Sequence, residues 1–211
     1  QDVDGDGLDE VLQLTGGRVV VMAPETGAIQ WASQGLSLWR FLLNDEGLAE
    51  DLDGDGVVDI LITKLNIGDG RVYAFNGATG ALQWEFGQGL GPSSGAGGGN
   101  RHALVDLTGD GLKELILHIP FNVTLGPTVY CLSFSEGMSV PQILWTFGGF
   151  DESTTHPTPV FDVDGDGVLE LVFSARYDLH VVDALSGDQR FIADDWLGPG
   201  VLSAASEAHP V

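Results

Sequence analysis

The sequence predicts an all-β fold, a β-propeller with four four-stranded blades. Three observations predict it. An Asp- and Gly-rich stretch occurs four times, as DVDGDGLDE at 2–10, DLDGDGVVD at 51–59, DLTGDGLKE at 106–114 and DVDGDGVLE at 162–170. Each stretch runs directly into an apolar segment rich in β-branched residues. The starts lie 49, 55 and 56 residues apart, a period that suits one four-stranded blade better than a short solenoid turn.

The elements repeat in order within each unit. Behind the loops come EVLQLT at 10–15, DILITK at 59–64, ELILHI at 114–119 and ELVFSA at 170–175, short apolar runs of the kind a strand buried on both faces needs. A turn leads to a second strand: RVVVMA at 18–23, RVYAFN at 71–76, TVYCLS at 128–133 and LHVVDA at 179–184. The third strand carries an aromatic. Trp31 and Trp84 stand at the same offset from Thr-Gly in ETGAIQW and ATGALQW, and Phe191 takes the slot in LSGDQRF; in the third unit an insertion, SEGMSVPQ at 135–142, precedes Trp145. The fourth strand lies before the loop, as in RHALV at 101–105 and PTPVF at 157–161, and the first unit lacks it. Blades are thus expected at about 1–38, 39–91, 92–149 and 150–200, with 201–211 the first strand of a following or ring-closing blade. The expected whole is a propeller of about six to eight blades of which this chain is a segment, with a closed four-bladed ring as the alternative. The Gly-rich stretch at 87–99 reads as a surface loop between blades two and three.

With 31 acidic against 8 basic residues the net charge is −23, so nucleic acid, anionic lipid and polyanionic substrates are repelled and cations are the expected partners. Of the 211 residues 43% are hydrophobic, enough for a sizeable core rather than a disordered chain. Cys131 is the single cysteine, which excludes a disulfide framework and a Cys-based zinc site. No apolar run approaches the roughly 18 residues of a membrane span, so direct membrane insertion is not expected. Asn122-Val123-Thr124 forms a sequon for an N-glycan, compatible with secretion.

The loops carry the chemistry. A hard cation such as calcium takes about six to eight oxygen ligands, and acids spaced by two along a bent loop can aim several at one point. In the first loop Asp2, Asp4 and Asp6 are the expected side-chain ligands, Leu8 offers its carbonyl, and Glu10 closes the site. The others repeat the pattern with Asp51, Asp53, Asp55, Val57 and Asp59; with Asp106, Thr108, Asp110, Leu112 and Glu114; and with Asp162, Asp164, Asp166, Val168 and Glu170. Up to four Ca²⁺ ions are therefore expected. Fifteen of the 31 acids lie at these positions, so without cations the loops should repel themselves. An EF-hand would need Glu at loop position twelve and flanking helices, but that position holds Gln13, Ile62, Leu117 and Phe173, and strand-like sequence follows.

The pattern D-x-D-G-D-G-x-x-D/E running into a strand resembles the FG-GAP repeat of integrin α-subunit propellers, and it covers all four units. The resemblance implies a calcium-binding propeller with an extracellular adhesion or recognition role. The segment from Ala74 to Trp84, A-x-N-x-x-T-G-x-x-x-W, is similar to the tryptophan-docking motif of quinoprotein propellers, which implies that the aromatic packs between adjacent blades.

Three functions are weighed on this basis. A non-catalytic extracellular or cell-surface module binding a protein or glycan fits every repeat. A propeller enzyme, either a quinoprotein dehydrogenase or a calcium-dependent polysaccharide lyase, has less support, because the acids are claimed by the loops and basic residues are few; His102, His156 and His180 are its candidate bases. A purely architectural part of a surface filament or larger assembly shares the first signature. Trp39 and Trp196 fall outside the repeated aromatic slot and are candidates for partner contact or for capping a blade edge.

Overall fold

The computed structural model describes residues 2–36, 48–64, 70–90, 101–118, 129–135, 138, 140–148, 159–175 and 178–193. These form fifteen β-strands and no helix. Blade one comprises β1 (Val11–Thr15), β2 (Arg18–Met22) and β3 (Ile29–Ala32). Blade two comprises β4 (Leu48–Glu50), β5 (Asp59–Lys64), β6 (Gly70–Asn76) and β7 (Leu82–Leu90). Blade three is built from β8 (Arg101–Val105), β9 (Glu114–His118), β10 (Val129–Ser133) and β11 (Gln142–Phe147). Blade four is built from β12 (Val160–Phe161), β13 (Glu170–Ala175), β14 (Asp178–Asp183) and β15 (Gln189–Ala193). Within each blade the strands are antiparallel neighbours in chain order, so each blade is a meander.

The core lies between blades. Side chains alternate across a strand, so one inner strand can serve two neighbours. Ile60, Ile62, Tyr73 and Phe75 of blade two pack with Val19 and Val21 of blade one. The alternate residues Leu61, Val72 and Ala74 pack with Leu115, Leu117, Tyr130 and Leu132 of blade three. Ile116, Val129 and Cys131 then face Leu171, Phe173 and Val182 of blade four. Both-sided burial is why these strands read as unbroken apolar runs.

The aromatic slot clamps one blade to the next. The Trp31 indole N–H donates to the carbonyl of Gly77 in the next blade's turn, and that of Trp145 donates to Ala184 at 3.0 Å. The rings lie so close that a Cβ at Gly80 would sit 2.4 Å from Trp31, and one at Gly187 would sit 2.7 Å from Trp145. Blade three has lost the Thr-Gly turn, and there Trp84 stacks instead on Phe134, with ring centroids 5.3 Å apart.

One alternative is ruled out and one expectation needs correction. The four-bladed ring is not closed: Phe191, in the docking slot of blade four, is 56% exposed, and Val11 of blade one is 45% exposed although its counterparts Ile60, Leu115 and Leu171 are buried. The Gly-rich stretch is not all loop, because β7 runs on to Leu90, which pairs with Gly70. The remainder of that stretch, 91–99, lies outside the described residues, as do 201–211, Trp39, Trp196, Asn122 and His156.

Candidate metal centres

Each Asp-rich loop is folded by its own carboxylates. Asp2 accepts from the N–H groups of Gly5 (2.7 Å) and Gly7 (2.9 Å), while Asp4 accepts from Asp6 and Asp6 from Leu8. Loop two repeats the set through Asp51, Asp53 and Asp55, and loop four through Asp162, Asp164 and Asp166. In loop three Asp106 holds Gly109 and Gly111, and Asp110 holds Leu112. The bond supplied elsewhere by the second acid has no counterpart there, because Thr108 takes its place. These are Asx-type turns, which Asp favours and which bend the chain so that side chains face inward.

The bend brings carboxylates together in three loops. Ligand oxygens of Asp2, Asp4 and Asp6 lie within 4.8 Å of one another, and so do those of Asp51, Asp53 and Asp59, and of Asp162, Asp164 and Glu170. Glu10, Asp55 and Asp166 stand outside these closest groups. Among the described residues, Asp106, Asp110 and Glu114 form no such group. Leu8 is exposed, whereas Val57, Leu112 and Val168 are half-buried.

The closing acid has a second task that its place in the motif does not announce. Glu10, Asp59, Glu114 and Glu170 are all buried. Each accepts the N–H of the loop's second residue: Val3 (2.7 Å), Leu52 (3.1 Å), Leu107 (2.8 Å) and Val163 (2.8 Å). Val3, Leu52 and Leu107 in turn pack into the interfaces with blades two, three and four. The loop is therefore tied through one hydrogen bond to blade–blade packing.

Asp59 is the most telling acid. It is 1% exposed, and its Oδ1 has no hydrogen-bond partner. Burial, aided by the charges of Asp53 and Asp55, pushes its carboxyl up to about 7 against the opposing hydrogen bonds from Leu52 and Gln83. A buried acceptor lacking a donor is unfavourable by about 1–3 kcal/mol, and a cation shared with Asp51 and Asp53 would remove that deficit. All-oxygen donor sets of this kind suit hard cations.

Sequence reasoning missed the residue just before each docking aromatic. Gln30 donates to Asp4 Oδ2 at 2.8 Å, Gln83 hydrogen-bonds with Asp59, and the Arg190 guanidinium pairs with Asp183 at 2.6 Å. Its recurrent position beside the aromatic was the available signal. Of the histidines, His102 lies half-buried on β8 and His180 is buried against Phe173 and Phe147.

Residues 51–117 match the family model of the FG-GAP-like repeat. No curated protein matches the sequence. Among solved structures the chain is similar to the V. cholerae biofilm matrix protein Bap1, with 20% identity and a TM-score of 0.58 over 94% of this chain and 28% of that one. It is also similar to rhamnogalacturonan lyase YesW, with 18% identity and a TM-score of 0.54 over 90% of this chain and 40% of that one. A third likeness is to the quinohemoprotein alcohol dehydrogenase ADHIIG of Pseudomonas putida HK5, with 15% identity and a TM-score of 0.52 over 87% of this chain and 33% of that one. The chain thus spans less than half the length of each of these proteins, and at such identities the likeness is one of fold.

Proposed function

We propose that this propeller chain, with its FG-GAP-like repeat at 51–117, is a non-catalytic recognition or adhesion module of the extracellular space or cell surface, held together by calcium in its Asp-rich loops. The observation that carries the metal half is the unsatisfied, buried Asp59 Oδ1 beside Asp51 and Asp53. Asp2, Asp4 and Asp6 would hold the corresponding ion in loop one, and Asp162, Asp164 and Glu170 the one in loop four; loop three, with Thr108, is the weakest. The ion supplies positive charge that offsets the gathered carboxylates. The chain's own residues do the rest: the closing acid holds the loop's second N–H, and in the first three loops that residue's side chain plugs the joint with the next blade. Calcium is thereby coupled to the rigidity of the whole array.

The recognition half is supported by the repeat type, by the likeness to a biofilm matrix protein, and by the engagement of the loop acids in building turns rather than standing in a cleft. A protein or glycan is the partner class, met by surfaces between the rigid blades. The test is a screen of the whole chain against glycans and cell-surface proteins, in calcium and in chelator, run beside assays on pectic polymers and with a quinone cofactor. Calcium-dependent binding without turnover is expected. Depolymerisation of the polymer, or quinone-dependent dye reduction, would overturn the non-catalytic reading.

A further inference from the structure

One irregularity recurs in every blade. On the last strand three residues span the places opposite two adjacent partners. Ile29 and Trp31 face Met22 and Val21, Leu82 and Trp84 face Phe75 and Ala74, Ile143 and Trp145 face Leu132 and Cys131, and Gln189 and Phe191 face Val182 and Val181. The extra residue at each bulge is Gln30, Gln83, Leu144 and Arg190. A bulge re-aims the side chain it carries, and such kinks gather next to functional sites. Here they turn three polar side chains to the Asp-rich end of the blade. Gln30 reaches Asp4 and Gln83 reaches Asp59, both members of the carboxylate groups described above. Arg190 reaches Asp183, whose strand neighbour is Glu170. Its guanidinium is raised above its ordinary value by the Asp183 hydrogen bond first and by the charges of Asp166 and Glu170 as well. Leu144 is apolar, and its blade is the one whose loop gathers no three carboxylates among the described residues.

We propose that the bulged residue of the last strand sets how tightly each loop holds its divalent cation: a carboxamide at Gln30 and Gln83 orients a ligand carboxylate without adding charge, whereas Arg190 weakens the fourth loop by placing a positive charge beside it. This rests on the reading that the loops bind calcium. A neutral amide donor fixes one carboxylate oxygen and leaves the charge of the site intact. A guanidinium instead repels the incoming ion. By Coulomb's law in a water-like dielectric, a unit charge several ångströms from a divalent ion weakens its binding by a factor on the order of five. Arg190 is half exposed, so the water-like value applies, and salt should shrink the effect.

The test is a calcium titration of the whole chain, followed by NMR through the amide signals of the loop glycines, whose N–H groups are bonded to the loop carboxylates. Gly165 and Gly167 report loop four, Gly54 and Gly56 loop two, Gly5 and Gly7 loop one. Arg190→Gln is expected to move the Gly165 and Gly167 midpoint about fivefold toward lower calcium. Arg190→Lys, which keeps the charge, should leave it in place, and Gln30→Arg should move the Gly5 and Gly7 midpoint in the opposite direction, with the unmutated loops unaffected. Coincident wild-type and Arg190→Gln midpoints, or a lysine variant that moves as far as the glutamine one, would overturn the inference while leaving calcium binding intact. Glycine signals that ignore calcium up to about 10 mM, beyond the range of extracellular modules, would remove the calcium reading itself and the inference with it.

Discussion

Asp59 is buried, ionisable and without a donor at Oδ1, so removing its charge should act in opposite ways with and without calcium. In chelator, Asp59→Asn is expected to melt no lower than the wild type, because the carboxylate it replaces is already disfavoured by burial. In millimolar calcium the variant should lose the increment of one loop, about 1 kcal/mol, or a few degrees of melting temperature. Scanning calorimetry of both proteins in both buffers measures the contrast. Asp183 differs because it is not among the loop ligands. Burial alone would raise its carboxyl, but hydrogen bonds from Ser186, Arg190 and Leu185 hold it below the ordinary value of 3.8. A lowered carboxyl stabilises the fold above its unfolded pKa, and that contribution disappears as pH falls through the folded one. Asp183→Asn should therefore lose about 1 kcal/mol at pH 7 in denaturant melts, a gap that closes as the pH is taken below about 4. The gathering of carboxylates in loops one, two and four was legible from spacing alone, since alternate positions in a bent loop share a focus. The roles of Gln30, Gln83 and Arg190 were not, because their place just before the aromatic recurs but nothing in the sequence marks it as a bulge turned toward the loop.

At the scale of the element, the inner strands were legible almost to the residue, as β5 and β9 show, because burial against two neighbours demands an unbroken apolar run. Strand β12 and the end of β7 were harder. The one pairs through two residues only, and the other runs through Gly-rich sequence whose backbone ladder needs no apolar side chain. The resemblance at Ala74 to Trp84 implied an aromatic packed between adjacent blades; the structure adds the docking of Trp31 and Trp145 on the next blade's turn, with a geometry specific enough to test. Gly187 has φ of 78° and no room for a Cβ beside Trp145, whereas Gly16 has φ of 56° and nothing near it. Gly187→Ala should be destabilising by about 2–4 kcal/mol, combining backbone strain with overpacking. Gly16→Ala should show only the strain part, about 1–2 kcal/mol. Urea unfolding of the two variants separates these contributions.

Over the whole molecule, a charge of −23, with 15 of the 31 acids gathered in four loops, opposes the compact state unless cations are present. Millimolar calcium is expected to stabilise the chain by about 4 kcal/mol, raising the melting temperature by roughly 10 °C over chelator. In chelator, added monovalent salt should recover part of that difference by screening, and it should do little once calcium is bound. The repeat and its period were plain in the sequence, and an open run of blades was its first expectation with the ring as the alternative; a repeat pattern is the same in a ring and in an arc, and it is the uncovered Phe191 and Val11 that decide between them. The most direct measurement of the account is anomalous diffraction from crystals of the whole chain grown in calcium. The account predicts peaks among Asp2, Asp4 and Asp6, among Asp51, Asp53 and Asp59, and among Asp162, Asp164 and Glu170, with a weaker peak or none beside Thr108. Well-ordered loops with no peak above noise in calcium-saturated crystals would contradict it.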